Sequence, residues 1–292
     1  VAPQVISPIV RRLARDHGLE LHHLRPATGA VLRRSDIEAA IARSAPAATA
    51  PASDATTAAT TAATTPALAD ERIPLTGVRK VIADKLATSR REIPDATTWV
   101  DVDATDFMTV RDQLRDHGVG LLGLLGRICV AGLRTFPELN ASVEGEEIVR
   151  HGGINLGFAA QSPRGLVVPV VKDAHTMSAR RLTDAMADLT ARARSGELSP
   201  AELTGGTFTL NNYGVFGVDG STPILNHPEA AMLGVGRIID RPWVVDGQLA
   251  VRKVTQLGFT FDHRVCDGGS AGGFLRFVAD AVEQPVRLLA EW

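Results

Sequence analysis

A histidine four residues ahead of an aspartate, with two glycines beyond it, is the part of this 292-residue sequence best suited to proton transfer. The stretch reads Phe261-Asp262-His263-Arg264-Val265-Cys266-Asp267-Gly268-Gly269. An imidazole gains and loses protons near neutral pH, and glycine lets a substrate approach the backbone. Val254, Leu257, Phe259 and Phe261 alternate ahead of it as a buried strand does. His263 is therefore expected where a strand ends and a glycine-rich helix begins. A core histidine followed by a helix-capping aspartate has the same pattern.

Two further stretches hold groups of a useful type. Gly205-Gly206-Thr207-Phe208-Thr209-Leu210-Asn211-Asn212-Tyr213-Gly214 reads as a strand breaking into polar residues, which alone marks a turn. The carboxamide of Asn211 offers N–H donors. His227, in Ser221-Thr222-Pro223-Ile224-Leu225-Asn226-His227-Pro228-Glu229-Ala230, is a second candidate base, placed before a proline in a loop. The two cysteines, Cys129 and Cys266, lie in apolar stretches and read as buried thiols; Cys266 stands out only by its closeness to His263. No metal-ligand spacing and no phosphate-binding glycine fingerprint occurs.

Asp262, His263, Arg264, Asp267 and Gly268 complete the pattern Asp-His-Arg-x-x-Asp-Gly, which resembles the active-site signature of the E2 acyltransferases of 2-oxo-acid dehydrogenase complexes. The signature is shared with chloramphenicol acetyltransferases. The resemblance implies transfer of an acyl group from a dihydrolipoyl thioester to coenzyme A, with His263 taking the thiol proton. A free thiol and imidazole differ by only about two pKa units, so that step is feasible. The segment ending at Gly214 resembles the one that supplies the family's oxyanion hydroxyl, and Asn211 stands at the hydroxyl position. The implied catalytic set is His263, Asp267 and Asn211, with Asp267 holding the loop through an ion pair with an arginine. Arg111 and Gly268 fall at substrate-binding positions. In the resembling enzymes the site lies between neighbouring subunits of a homotrimer that builds a larger core. The run from Ile224 to Gly234 looks most like bacterial branched-chain enzymes, then acetyl, then succinyl. A non-catalytic scaffold subunit and a free-standing drug acetyltransferase are the competing readings.

The elements that must position these residues follow from the patterning. Apolar residues make up 45% and net charge is -2, an ordinary balance with no global bias toward nucleic acid or membrane. No long apolar run and no signal peptide occurs, so a cytoplasmic protein is expected. Ser7-Pro8 starts a short helix with Ile9, Leu13 and Ala14, and Ser35-Asp36 starts a second with Ile37, Ala40 and Ile41. This stretch resembles the family's small all-α peripheral-subunit-binding domain. Its arginines, Arg11, Arg12, Arg15, Arg33 and Arg34, would bind the E1 2-oxo-acid decarboxylase or the E3 dihydrolipoamide dehydrogenase. Without aromatic residues for stacking it is a poor nucleic-acid module.

Three segments are expected: 1–44 the binding module, 45–73 a disordered Ala/Thr/Pro-rich linker, and 74–292 a chloramphenicol-acetyltransferase-like mixed-sheet α/β catalytic domain. In the third, helices are expected along Val78, Val81, Ile82 and Leu86, from a Thr105 or Asp106 cap, at 121–133, from Ser178 to Gly196, and at 270–283. Strands are expected at 99–103, 142–144, 148–150, 154–160, 166–171, 207–210 and 231–236, with a turn at Asp246-Gly247. The lipoyl group would sit on a domain not among these residues, so the sequence is expected to be a fragment or to use a lipoyl domain from another polypeptide.

Overall fold

The computed structural model describes residues 8–17, 19–21, 24, 26, 31–44, 70–163 and 165–290. The chain divides into two compact units, 1–70 and 71–292. In the first, α1 (Pro8–Asp16) and α2 (Arg34–Ser44) enclose a small core of Val10, Ala14, Leu32 and Ile37. Asp36 reaches back to the Arg33 backbone N–H at 2.9 Å, satisfying one of the orphan donors at the start of α2. Arg15, Arg33 and Arg34 are exposed, and Arg34 pairs with Glu38 at 2.7 Å. The side chains of Arg11 and Arg12, Ser7, and residues 45–69 lie outside the described residues.

The second unit runs, in chain order, α3 (Gly77–Glu92), β1 (Asp95–Asp103), α4 (Thr105–Leu114), α5 (Leu121–Thr135), β2 (Ala141–Glu144), β3 (Glu147–Arg150), β4 (Leu156–Phe158), β5 (Ala160–Ser162), β6 (Gly165–Val167), β7 (Val170–Val171), α6 (Ala179–Ser195), β8 (Phe208–Asn212), β9 (Ala231–Val235), β10 (Ile239–Val245), β11 (Gln248–Asp262) and α7 (Gly268–Glu283). The main sheet has the order β1-β11-β9-β8-β4-β7, with β10 paired on β11. β4, β8 and β9 are parallel neighbours, while β1, β10 and β7 join antiparallel, giving the mixed sheet expected.

One face of this sheet is the core. Phe208, Leu210, Leu233, Val235, Leu257, Phe259 and Phe261 alternate toward the helices and are buried with residues of α5, α6 and α7. Phe274 of α7 sits 4.7 Å from Phe259 and 5.6 Å from Phe208 by ring centroid. Gly132 of α5 permits that approach, since a Cβ there would lie 2.7 Å from the Phe274 ring. Several local signals act as expected. Ser178 caps α6 by accepting from the Arg181 N–H, Gly196 ends it at φ 77°, and Asp246 and Gly247 turn β10 into β11 at φ 50° and 78°.

The helix expected along Val78, Val81, Ile82 and Leu86 forms as α3, with Val81 67% and Leu86 41% exposed and Ser89 buried. Two local expectations fail. Residue Ala104, not Thr105 or Asp106, occupies the N-cap of α4, because Asp103 accepts from the Thr105 N–H one turn position earlier. The apolar runs at 154–160 and 166–171 break into four short strands, only two of which join the main sheet. Among the described residues no single helix is long and apolar enough to cross a membrane; α4 and α5 pass such a test only as a pair bent by 113°, and α5 is buried in the core.

Candidate active site

The turn that carries His263 is built on Asp262. This aspartate, 1% exposed, closes β11, and its N–H donates to the Ala230 carbonyl at 2.8 Å. Its carboxylate accepts from the Arg264 backbone N–H at 2.9 Å and from the Arg264 guanidinium at 2.6 Å. A buried carboxylate stripped of its cation costs about 3–5 kcal/mol, so this pair fixes the turn. The guanidinium is held further into its charged range by that carboxylate and by Glu92. His263 then projects from an exposed position with its N–H anchored to the Pro94 carbonyl at 3.1 Å, and its ring lies 5.6 Å from that of Phe261. An imidazole so placed is exposed at the end of a hydrogen-bonded strand.

Among the described residues Asp267 makes no ion pair with an arginine, contrary to expectation; Asp262 takes Arg264. Asp267 caps α7, its carboxylate accepting from the Gly269 N–H at 2.8 Å. Gly268 is the first residue of that helix. Arg111 lies on α4 and pairs with Asp112 at 2.9 Å. His227 faces Glu92 at 3.2 Å. Burial, with Glu138, Asp267 and Asp262 nearby, pushes the Cys266 thiol up to about 11, so it stays protonated at neutral pH and is a poor nucleophile. Cys129 is buried and shifted further in the same direction. Among the described residues no group of three His, Cys, Asp or Glu is arranged to hold a metal.

Asn211 continues β8 instead of leaving it, and sits half-buried on the sheet face away from the helices. The register places it directly across from Gly234 of β9, which faces Gly258 of β11. His263 is five residues past Gly258, about 17 Å farther along the strand, and two strands from β8, about 10 Å across. One chain therefore cannot bring Asn211 and His263 to the same reacting carbon.

The comparisons with known proteins identify the family. Residues 67–290 match the family model for the catalytic domain of 2-oxoacid dehydrogenases acyltransferase. The chain belongs to that family. A succinyltransferase component of the 2-oxoglutarate dehydrogenase complex of Escherichia coli (strain K12) is 36% identical across 98% of this chain and 72% of the relative. The lipoamide acyltransferase component of the branched-chain alpha-keto acid dehydrogenase complex of Pseudomonas aeruginosa is 37% identical across 98% and 67%. The solved cubic core of a pyruvate dehydrogenase multienzyme complex superposes with a TM-score of 0.71 at 31% identity, covering 76% of this chain and 94% of that one. The protein is thus an E2-type acyltransferase of the 2-oxoacid dehydrogenase complexes, with the mixed α/β catalytic fold of that family.

Two site residues escape a reading of motifs alone. Asp262 belongs to the signature, yet its role as the buried partner of Arg264 needs the strand end to be seen. Glu229, two residues before the apolar strand Ala231–Val235, is buried beside the His263 turn, and no motif marks it.

Proposed function

We propose that the protein transfers a branched-chain acyl group between a dihydrolipoyl thioester and coenzyme A, at sites shared by neighbouring copies in a homotrimer. The observation that carries this reading is the pairing of a rigid, exposed His263 with an Asn211 too distant to serve the same site in one chain. His263 removes the proton from the attacking thiol as the sulfur adds to the thioester carbon. The carboxamide N–H of Asn211 from the adjacent copy stabilises the resulting oxyanion, and collapse expels the other thiolate, which recovers the proton from His263. Trp99, 59% exposed, and the bare Val81 and Leu86 of α3 supply apolar surface for a second copy.

Beside the end of β8 lies a groove of about 480 Å³ lined by Met108, Leu121, Val215, Ile238 and Ile239. Arg237, also on its wall, is already paired with Asp219 at 2.5 Å. An aliphatic acyl chain suits this lining better than a succinyl group, whose carboxylate needs an unpaired cation. Identities of 36% and 37% to a succinyl and a branched-chain relative do not rank the acyl group. The purified protein, assayed with isobutyryl-, acetyl- and succinyl-CoA and dihydrolipoamide, is expected to show its highest kcat/KM with isobutyryl-CoA. A preference for succinyl-CoA would overturn the branched-chain assignment and leave the acyltransferase intact.

Coenzyme A is then a substrate, the lipoyl group arrives on a lipoyl domain, and the proteins that share this machinery are the E1 decarboxylase and the E3 dehydrogenase, in the cytoplasm. Residues 1–44 are the docking module for one of them and 45–73 the linker that gives it reach. The exposed Arg15, Arg33 and Arg34 favour an acidic partner surface. Arg11→Glu combined with Arg15→Glu is expected to abolish binding in titration calorimetry, and raised salt to weaken the parent. Retained affinity in the double variant would remove that face from the interaction.

A further inference from the structure

Among the described residues Glu229 is the most deeply buried carboxyl outside the signature turn, 2% exposed, and it joins the two parts of the chain that the proposed reaction uses. One carboxylate oxygen accepts from Thr209 Oγ1 at 2.5 Å and the other from Asn226 Nδ2 at 2.6 Å. Asn226 Oδ1 in turn accepts from Lys85 Nζ of α3 at 2.6 Å. Thr209 stands two residues before Asn211, on the same face of β8. On the other side, the Ala230 carbonyl next to Glu229 receives the N–H of Asp262, the residue on which the His263 turn is built. Gly206 leaves the space for this contact, because a Cβ there would come within 2.4 Å of the Glu229 carboxylate.

We infer that Glu229 is a positioning residue for acyl transfer, tying the strand behind Asn211 to the loop behind His263 so that both keep their place. The inference rests on the roles given above to Asn211 and His263. Those two residues of one chain serve two different sites of the oligomer, so a single buried carboxyl supports both. A hydrophobic contact would fill the same space but would not fix direction. The Thr209 bond ties β8 to the 226–229 loop while the Asn226 bond fixes the carboxyl within that loop, and misplacement by about 1 Å can cost 10²-fold in rate.

The clamp is sensitive to protons. Burial pushes the Glu229 carboxyl up to about 7, against the Thr209 and Asn226 donors and the charge of Lys85. Burial also lowers Lys85. A cavity of about 470 Å³ adjoins the carboxyl, and the other titratable groups facing it are Glu144 of β2, His151 after β3, and His227 of the same loop. As a carboxylate Glu229 accepts from Thr209; once protonated it can donate to the Thr209 oxygen, reversing that bond. Because the folded-state value lies above that of free glutamate, the folded protein holds an extra proton between the two. Stability therefore falls as pH rises from the free value near 4.5 to about 7, and is flat in this respect above it.

Three variants of the full chain test the inference by melting temperature from pH 5 to 8, oligomer size, and kcat against KM. Glu229→Gln keeps the shape and one donor-acceptor pair on each side. Its kcat at neutral pH is expected within about threefold of the parent, and its melting temperature should gain on the parent as pH rises from 5 to 7, a difference that excludes His151 and His227, present in both. Glu229→Ala and Thr209→Val, which cut the tie from either end, are expected to lose about tenfold or more in kcat with KM nearly unchanged. Thr209→Val serves if Glu229→Ala does not fold. If folded, oligomeric Thr209→Val keeps the parent kcat, or loses it only in proportion to the folded oligomer, Glu229 is a packing residue and the inference falls. The roles of His263 and Asn211 are untouched by that result. Activity surviving His263→Ala would instead overturn the reading on which the inference stands.

Discussion

His263→Ala is expected to lose about 10²- to 10⁴-fold in kcat while the protein folds and assembles as the parent does. Removing a general base has that effect in rate, and the structure gives no reason for a loss of stability. The side chain is exposed, and the turn is anchored by the His263 backbone N–H on Pro94 and by the Asp262–Arg264 pair, none of which the substitution touches. Steady-state kinetics with size-exclusion chromatography checks both halves of the expectation. A kcat within about threefold of the parent at neutral pH would show that proton removal lies elsewhere. Asp267 provides the contrast. As the N-cap of α7 it serves through an acceptor oxygen, so Asp267→Ala should cost about 1 kcal/mol in stability and Asp267→Asn almost none. A large rate loss in Asp267→Asn with unchanged melting would place this residue in the chemistry.

The second large effect belongs to Asn211. An oxyanion donor acts in the transition state and not in the bound substrate, so Asn211→Ala is expected to lose roughly ten- to a thousandfold in kcat with little change in KM. Asn211→Ser should recover much of the loss, since a hydroxyl donates from nearly the same place. Asn211→Asp should be the slowest, because a carboxylate cannot donate and repels the developing charge. The position on β8 favours a clean result: Asn211 is half-buried on a paired strand opposite Gly234, so a smaller side chain removes little packing. An Asp variant as fast as the parent would take Asn211 out of the mechanism.

The parts of this fold that were legible in the sequence are those decided within a few residues. Ser178 and Gly196 bracket α6 because a cap and a left-handed terminus are local requirements, and Asp246-Gly247 turns a hairpin for the same reason. The 121–133 run is apolar nearly all round, so a buried helix there needed no knowledge of its neighbours. Long-range choices were not legible. Val81 and Leu86 share helical spacing on α3, yet among the described residues nothing buries them. Asp262 and Asp267 are both acidic residues near one arginine, and only the strand end decides that the first pairs with Arg264 and the second caps a helix. Glu229 looks like a loop residue until Thr209, 20 positions away, is seen to donate to it. The separation of Asn211 from His263 depends on strand order, which no local pattern encodes.

Strand order also supplies the most direct test of a site shared between copies. Chains carrying His263→Ala and chains carrying Asn211→Ala, each nearly inactive alone, can be unfolded together, refolded, and assayed as mixed oligomers. In a shared site, some interfaces join the intact His263 of one chain to the intact Asn211 of its neighbour. Activity is then expected to rise well above that of either variant, and to vary with the mixing ratio with a maximum near equal proportions. Mixed oligomers of confirmed composition that remain as inactive as the separate variants would contradict the account.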